Sequence, residues 1–107
     1  MNHRDTAMLI LTGYVHVAPV DIDDFLADIQ ALTRSGRRRE GNLLYAVAMD
    51  DRDIGRLLVV ERWRDQASLS THLNASETVE FVARWRGRMT AEILKYDATN
   101  ERPLMDK

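Results

Sequence analysis

No cysteine occurs among the 107 residues, and this excludes disulfides, thiolate metal sites and cysteine nucleophiles together. No apolar run approaches the ~20 residues that a membrane-spanning helix needs. The polar start, Met1-Asn2-His3-Arg4-Asp5-Thr6, leads into a strand-like stretch too short for a signal-peptide core, so the cytoplasm is the expected location and no membrane partner is expected. Charge of one sign is also lacking: the net charge of -2 gives no bulk attraction to nucleic acid. A Gly-rich phosphate loop, a Gly-x-Ser-x-Gly elbow and a dinucleotide fingerprint are all missing. The three histidines have no close metal-ligand spacing. The acidic turn Asp50-Asp51-Arg52-Asp53 does not match a calcium-binding EF-hand loop. No metal site is therefore expected.

What is present describes an ordinary globular chain, 45% hydrophobic and 30% charged. Its length suits one domain, residues 1–107, with a core over about 7–97 and a polar tail over 98–107. Met8 to Val17 is rich in β-formers and ends at Ala18-Pro19, which reads as the first strand. Asp21 is the expected N-cap of a helix whose stripe is Ile22, Phe25, Leu26, Ile29 and Leu32 and which is expected to run out near Ser35-Gly36. A hairpin follows, Leu43 to Met49 returning through Gly55 into the continuous apolar run Leu57-Leu58-Val59-Val60. Ser76 is the expected cap of a further helix with stripe Val79, Val82, Trp85, Arg86 and Met89, and Thr90 to Tyr96 is the last strand. The order is β-α-β-β-α-β with the second helical region split, a ferredoxin-like α+β arrangement with a four-stranded antiparallel sheet and helices on one face.

Two helices cover only one face of such a sheet. Leu9, Leu11 and Val15 nevertheless point opposite to Met8, Ile10 and Tyr14, and the third strand is apolar on both faces. A second copy of the same sheet is the simplest cover, so a homodimer is expected.

The chain is organised around residues 61–73, where the buried strand ends in Glu61-Arg62-Trp63 and turns into a short helix capped by Asp65. Period two puts Leu57, Val59, Glu61 and Trp63 on one face, and helical spacing puts Leu69, His72 and Leu73 on one stripe. A carboxylate, an indole and an imidazole can thus converge. Glu61 should be paired with an arginine or bonded to a backbone or pocket group, since a lone buried carboxylate is costly. Tyr14 and His16 share a face of the first strand, and Tyr45 lies on the second, as further polar tips for a pocket. Near a helix end, truncating His72 should cost only about 1 kcal/mol.

Glu61, Trp63, Leu69, His72 and Leu73, in a Glu-x-Trp, polar turn, short helix, histidine pattern, resemble the signature of the antibiotic biosynthesis monooxygenase (ABM) domain. The resemblance runs roughly from Met8 to Tyr96 and implies a dimeric α+β barrel. It also implies oxidation of a quinol or polyphenol-like aromatic by dioxygen, without bound metal, flavin or haem. In that reading His72 is the base or oxyanion partner, Trp63 the aromatic wall, and Glu61, Tyr14 and Tyr45 pocket residues. The family's haem-degrading branch implies an asparagine on the first strand, a tryptophan at the position of His72 and a haem-ligating histidine at that of Val82, none of which is present. Two other functions fit the same residues: an isomerase of the same fold, and a dimeric small-ligand-binding module without catalysis. RNA-recognition modules share the element order, but they expose stacking aromatics where Arg56-Leu57-Leu58-Val59-Val60-Glu61 offers aliphatics. No nucleic-acid partner is expected.

Overall fold

The computed structural model describes residues 7–105; His3 and the rest of the polar start lie outside them. The elements are β1 (Met8–Val17), α1 (Ile22–Arg37), β2 (Asn42–Asp51), β3 (Arg56–Trp63), α2 (Gln66–Leu73), α3 (Ser76–Trp85) and β4 (Met89–Ala98). The sheet has the order β2-β3-β1-β4 with every neighbour antiparallel. This is the expected ferredoxin-like topology, and the sheet is open.

Strand parity sorts the side chains. On the helix-covered face, Leu9, Val15 and Val17 of β1 join Leu57, Val59, Glu61 and Trp63 of β3 and Tyr45 of β2, all buried. Here α1 contributes Ile22, Phe25, Ile29 and Leu32, four of the five stripe residues expected, with Leu26 packed at the margin. These helix residues and the middle of the sheet form one core cluster with Trp85; Leu9, Tyr45, Trp63 and Leu69 form a second. Phe25 is the hub of the first, edge-on to Trp85 at 5.0 Å and tilted against Phe81 at 5.6 Å between ring centroids.

Several local expectations are corrected. Asp21 precedes α1 but makes no side-chain cap; its carboxylate instead meets Arg88 at 3.3 Å, after a short 3-10 turn over Pro19–Asp21. The α1 helix runs to Arg37, close to the expected end near Ser35-Gly36, but Gly36 lies inside the helix and serves packing rather than termination. Ser76 is the first residue of α3 rather than its cap. The inward face of α3 is Thr78, Phe81 and Trp85, whereas Val79 and Val82 are exposed; the aromatic contacts with Phe25 decide the rotation of this helix. The acidic turn is structural: Asp50 pairs with Arg56 at 2.7 Å, and Asp51 accepts from the Asp53 backbone at 3.1 Å. Gly55, at φ 69°, closes that turn in the left-handed region where a side chain would be strained.

Candidate functional site

The organising segment folds as its chemistry requires. Glu61 and Trp63 face the helices from the end of β3, and Tyr45 sits directly across from Glu61 on β2. Asp65 then starts α2 by accepting a 2.8 Å hydrogen bond from the Ser68 backbone N–H, which satisfies one of the helix's free donors. One turn after Leu69, this geometry delivers His72 over the Trp63 ring. Leu73, expected on the same stripe, is instead half exposed.

Four of the five candidate side chains converge. The Trp63 indole N–H donates to Glu61 Oε1 at 2.8 Å, so Glu61 bonds a pocket group rather than an arginine. The His72 and Trp63 rings stack with centroids 5.0 Å apart and planes at 28°. Tyr45 stands edge-on to both, at 5.4 Å from His72 and 6.4 Å from Trp63. The cluster is roofed by α1 at Gly36, where an added Cβ would lie 2.6 Å from two Tyr45 ring carbons and 3.1 Å from His72 Cε1. His72 is 2% exposed. That overturns the expectation of a cheap truncation: removing its ring would open a cavity beneath α1, in the range of ~2–5 kcal/mol found for large buried side chains.

Burial tunes the titrating groups. It is the main cause holding the His72 imidazole below its ordinary value; the nearby Arg39 charge adds to this, and Glu77 opposes it. The ring is therefore neutral at pH 7 and can accept a proton. Burial also raises Glu61, against the opposing effect of the Trp63 hydrogen bond. The Tyr45 phenol is raised by burial and then by Glu61, so it stays protonated. His72 Nδ1 is buried and meets no hydrogen-bond partner within the protein, an uncommon state for a buried nitrogen.

Tyr14 does not join this group. Its register partner is Leu58, on the opposite face of the sheet, where the Arg56 guanidinium lies 4.9 Å from its ring centroid. His16 shares that face by strand parity. Among the described residues, no group of three or more His, Asp or Glu side chains could hold a metal ion.

A cleft of about 190 Å³ runs between α1 and α3, with Leu32 and Phe81 among its walls and Ser35 and Glu77 at its edge. Ser35 Oγ donates to Glu77 Oε2 at 2.9 Å, and Arg39 donates to Glu77 Oε1 at 2.8 Å, tying the two helices together beside His72. These three residues were not legible as site residues. Arg39 and Glu77 are 38 positions apart, and each reads from sequence as an ordinary solvated charge at a helix end.

The fold and this buried aromatic-imidazole cluster define a ferredoxin-like α+β domain whose polar groups of interest sit between sheet and helices. The sequence model of the antibiotic biosynthesis monooxygenase (ABM) family matches residues 8–84, and the chain belongs to that family. It is similar to the Bacillus subtilis (strain 168) protein named "Putative monooxygenase YcnE", with 27% identity over 86 residues, 80% of this chain and 90% of that protein. Among solved structures, a Deinococcus radiodurans protein described as a putative antibiotic biosynthesis monooxygenase superposes with a TM-score of 0.81 at 21% identity, over 92% of this chain and 99% of that one. PA3566 from Pseudomonas aeruginosa superposes with a TM-score of 0.78 at 22% identity, over 92% of this chain and all of that one (100%). At these identities the structural likeness speaks for the fold alone.

Proposed function

We propose that this protein is a monooxygenase that oxidises a quinol or polyphenol-like aromatic with dioxygen and no resident metal, flavin or haem. The observation that carries the reading is His72: a neutral, buried imidazole stacked on Trp63, with a ring nitrogen that meets no partner in the protein. His72 takes the phenolic proton, a step typically worth ~10²- to 10⁴-fold in rate. The anion then gives one electron to dioxygen, the semiquinone and superoxide recombine as a ring-carbon peroxide, and loss of water leaves a hydroxyquinone. The balance is quinol plus O₂ to hydroxyquinone plus H₂O, so the substrate supplies the electrons. Trp63 and Tyr45 wall the aromatic ring, Glu61 holds the indole through its N–H, and the apolar surroundings keep water from the peroxide. The α1/α3 cleft is lined by Leu32, Ser35, Glu77 and Phe81 and not by His72 itself, so in this reading α1 and α3 must part for a substrate to reach the imidazole.

The same proposal includes a homodimer. The uncovered face of the sheet carries Ile10, Tyr14, Leu44, Leu58, Leu94 and Tyr96 by strand parity, with Leu94 63% and Tyr96 50% exposed. A monomer rarely leaves so continuous an apolar surface to water, and the same face of a second copy matches it.

The test is oxygen uptake with a panel of quinols, for the wild type and for His72→Gln, which keeps most of the side-chain volume. Uptake with at least one quinol, lowered about a hundredfold or more in the variant, is the expected result. Binding without uptake would return the protein to the isomerase or ligand-binding readings. Equal uptake by both proteins would remove His72 as the base.

A further inference from the structure

Three buried side-chain polar atoms among the described residues meet no hydrogen-bond partner in the protein: Arg39 Nε, His72 Nδ1 and Thr78 Oγ1. They come from the ends of three helices, of which α2 and α3 are consecutive and α1 is separated from them by β2 and β3. Arg39 follows the end of α1, His72 is in the last turn of α2, and Thr78 is in the first turn of α3, which is tied to α2 by the Ala75 N–H donating to His72 O at 3.2 Å. Buried polar groups without partners are rare, and each is costly; Arg39 lies near enough to His72 for its charge to act on the imidazole, so their unused nitrogens mark this junction as a place for a polar ligand atom.

The remaining charge at the junction sharpens its chemistry. Among the described residues, the acid bonded to the Arg39 side chain is Glu77, which also accepts from Ser35. Glu77 is held well ionised by its own backbone N–H, then by Ser35 and by Arg39. Its carboxylate therefore sits at the edge of the α1/α3 cleft as an internal anion on a guanidinium whose Nε–H is still unused.

We infer that this junction is an acceptor site for an acidic oxygen of the ligand, received by the Arg39 guanidinium beside the His72 imidazole, and that Glu77 occupies it as an internal competitor when no ligand is bound. The inference rests on reading the His72 cluster as the aromatic-binding site and names its substrate class: an aromatic carrying a carboxylate or comparably acidic oxygen in addition to its phenols. Binding moves Glu77 off Arg39 and exchanges one charge-assisted hydrogen bond for another, so the ordered contact with the ligand is gained at little electrostatic cost.

Anaerobic calorimetry with two probes, 2,5-dihydroxybenzoate and uncharged hydroquinone, tests this without turnover. The wild type should prefer the carboxylated probe, about tenfold for one charge-assisted hydrogen bond. Glu77→Gln should widen the preference, and Ser35→Ala should widen it less. Arg39→Met, which keeps the stem and removes the donors, should abolish it. In ¹⁵N spectra the His72 imidazole signal should shift with the carboxylated probe, and melting curves establish that each variant is folded. Equal affinity for the two probes, no binding of either, or a preference that survives Arg39→Met in a folded protein would overturn the inference. Selective binding without oxygen uptake would sink the oxidation reading and leave this one standing. Uptake of uncharged quinols without selectivity would do the reverse.

Discussion

Gly36 offers the sharpest test of the site geometry, because replacing it with alanine sets two effects of known size against each other. In an exposed helix interior, alanine is favoured over glycine by about 0.8–1 kcal/mol. Here the new Cβ would lie 2.6 Å from Tyr45 Cδ2 and Cε2, atoms of a rigid ring confined by Trp63 and His72. Overpacking of this kind costs about 1–3 kcal/mol. The net expectation is a destabilisation of about 1 kcal/mol, seen as a fall in Tm of about 4–8 °C for a domain of this size. The second arm is a double-mutant cycle. Tyr45→Ala removes the ring, so adding Gly36→Ala in that background should recover the helix propensity and stabilise by up to about 1 kcal/mol, less what the 3.1 Å approach to His72 Cε1 takes back. The sign reversal corresponds to a coupling of about 2 kcal/mol. Urea unfolding at fixed protein concentration measures all four proteins. If Gly36→Ala stabilises the wild-type background, or the coupling is below about 0.5 kcal/mol, then α1 does not press on Tyr45 and the closed roof over His72 is wrong.

The remaining predictions concern the other members of the site and the open face. Glu61→Gln keeps an acceptor for the Trp63 N–H and removes a carboxyl whose folded pKa is raised. Such a carboxyl favours the native state below its unfolded value of ~4.5 and costs stability as pH rises above it, so the Tm advantage of the variant should grow from pH 4 to pH 8; a gap that shrinks refutes this. His72 has the opposite sign: its pKa is lowered in the folded state, so its contribution is present above ~6.5 and lost as pH falls below that, and the wild type should lose stability between pH 7 and 5 more steeply than His72→Gln. Raising the pH should also partly restore quinol oxidation in His72→Gln, because a pre-ionised phenolate needs no base; a rate that stays flat with pH would count against that role. Titrated haem should give no sharp Soret band of a histidine-ligated complex, since the expected ligand position is Val82, which is exposed and cannot bind iron. Light scattering should report twice the chain mass, and Leu94→Asp combined with Tyr96→Asp should shift it towards one chain; a soluble wild-type monomer at micromolar concentration would remove the dimer.

The sequence carried the fold further than it carried the site. Parity of β3 and the spacing of Leu69 and His72 brought Glu61, Trp63 and His72 together as expected, because both are local periodicities that backbone geometry enforces. Gly36 marks the end of α1 to within a residue, but its main role is tertiary and not legible: the lack of a Cβ there lets α1 pass the Tyr45 ring. The face of α3 was misjudged for a related reason. Trp85 is expected on the inward stripe and lies there, but Val79 and Val82 fit helical spacing with it as well as Phe81 does, and only the position of Phe25 on α1 selects between them. The Arg39–Glu77 pair had no local signal at all, since it joins two helix ends that only the folded sheet brings side by side.

The two tyrosines show what separates chemistry from assembly in this fold. Tyr45 and Tyr14 both stand on strands of one sheet, and both are candidate polar tips of a pocket. Register pairs Tyr45 with Glu61, on the face that α1 and α2 cover, and Tyr14 with Leu58, on the face they leave open. Because strand side chains alternate, a shift of one position would exchange these roles along the whole strand. On the covered side, desolvation sets the protonation of His72, Glu61 and Tyr45. On the open side, Tyr14 is 37% exposed against the Arg56 guanidinium, and its burial would have to come from another chain. The proposed oxidation and the proposed dimer thus draw on opposite faces of the same strands. Substitutions at Leu94 or Tyr96 should therefore change assembly while leaving the stacking of His72 on Trp63 intact, and substitutions at Gly36 or Glu61 should do the reverse.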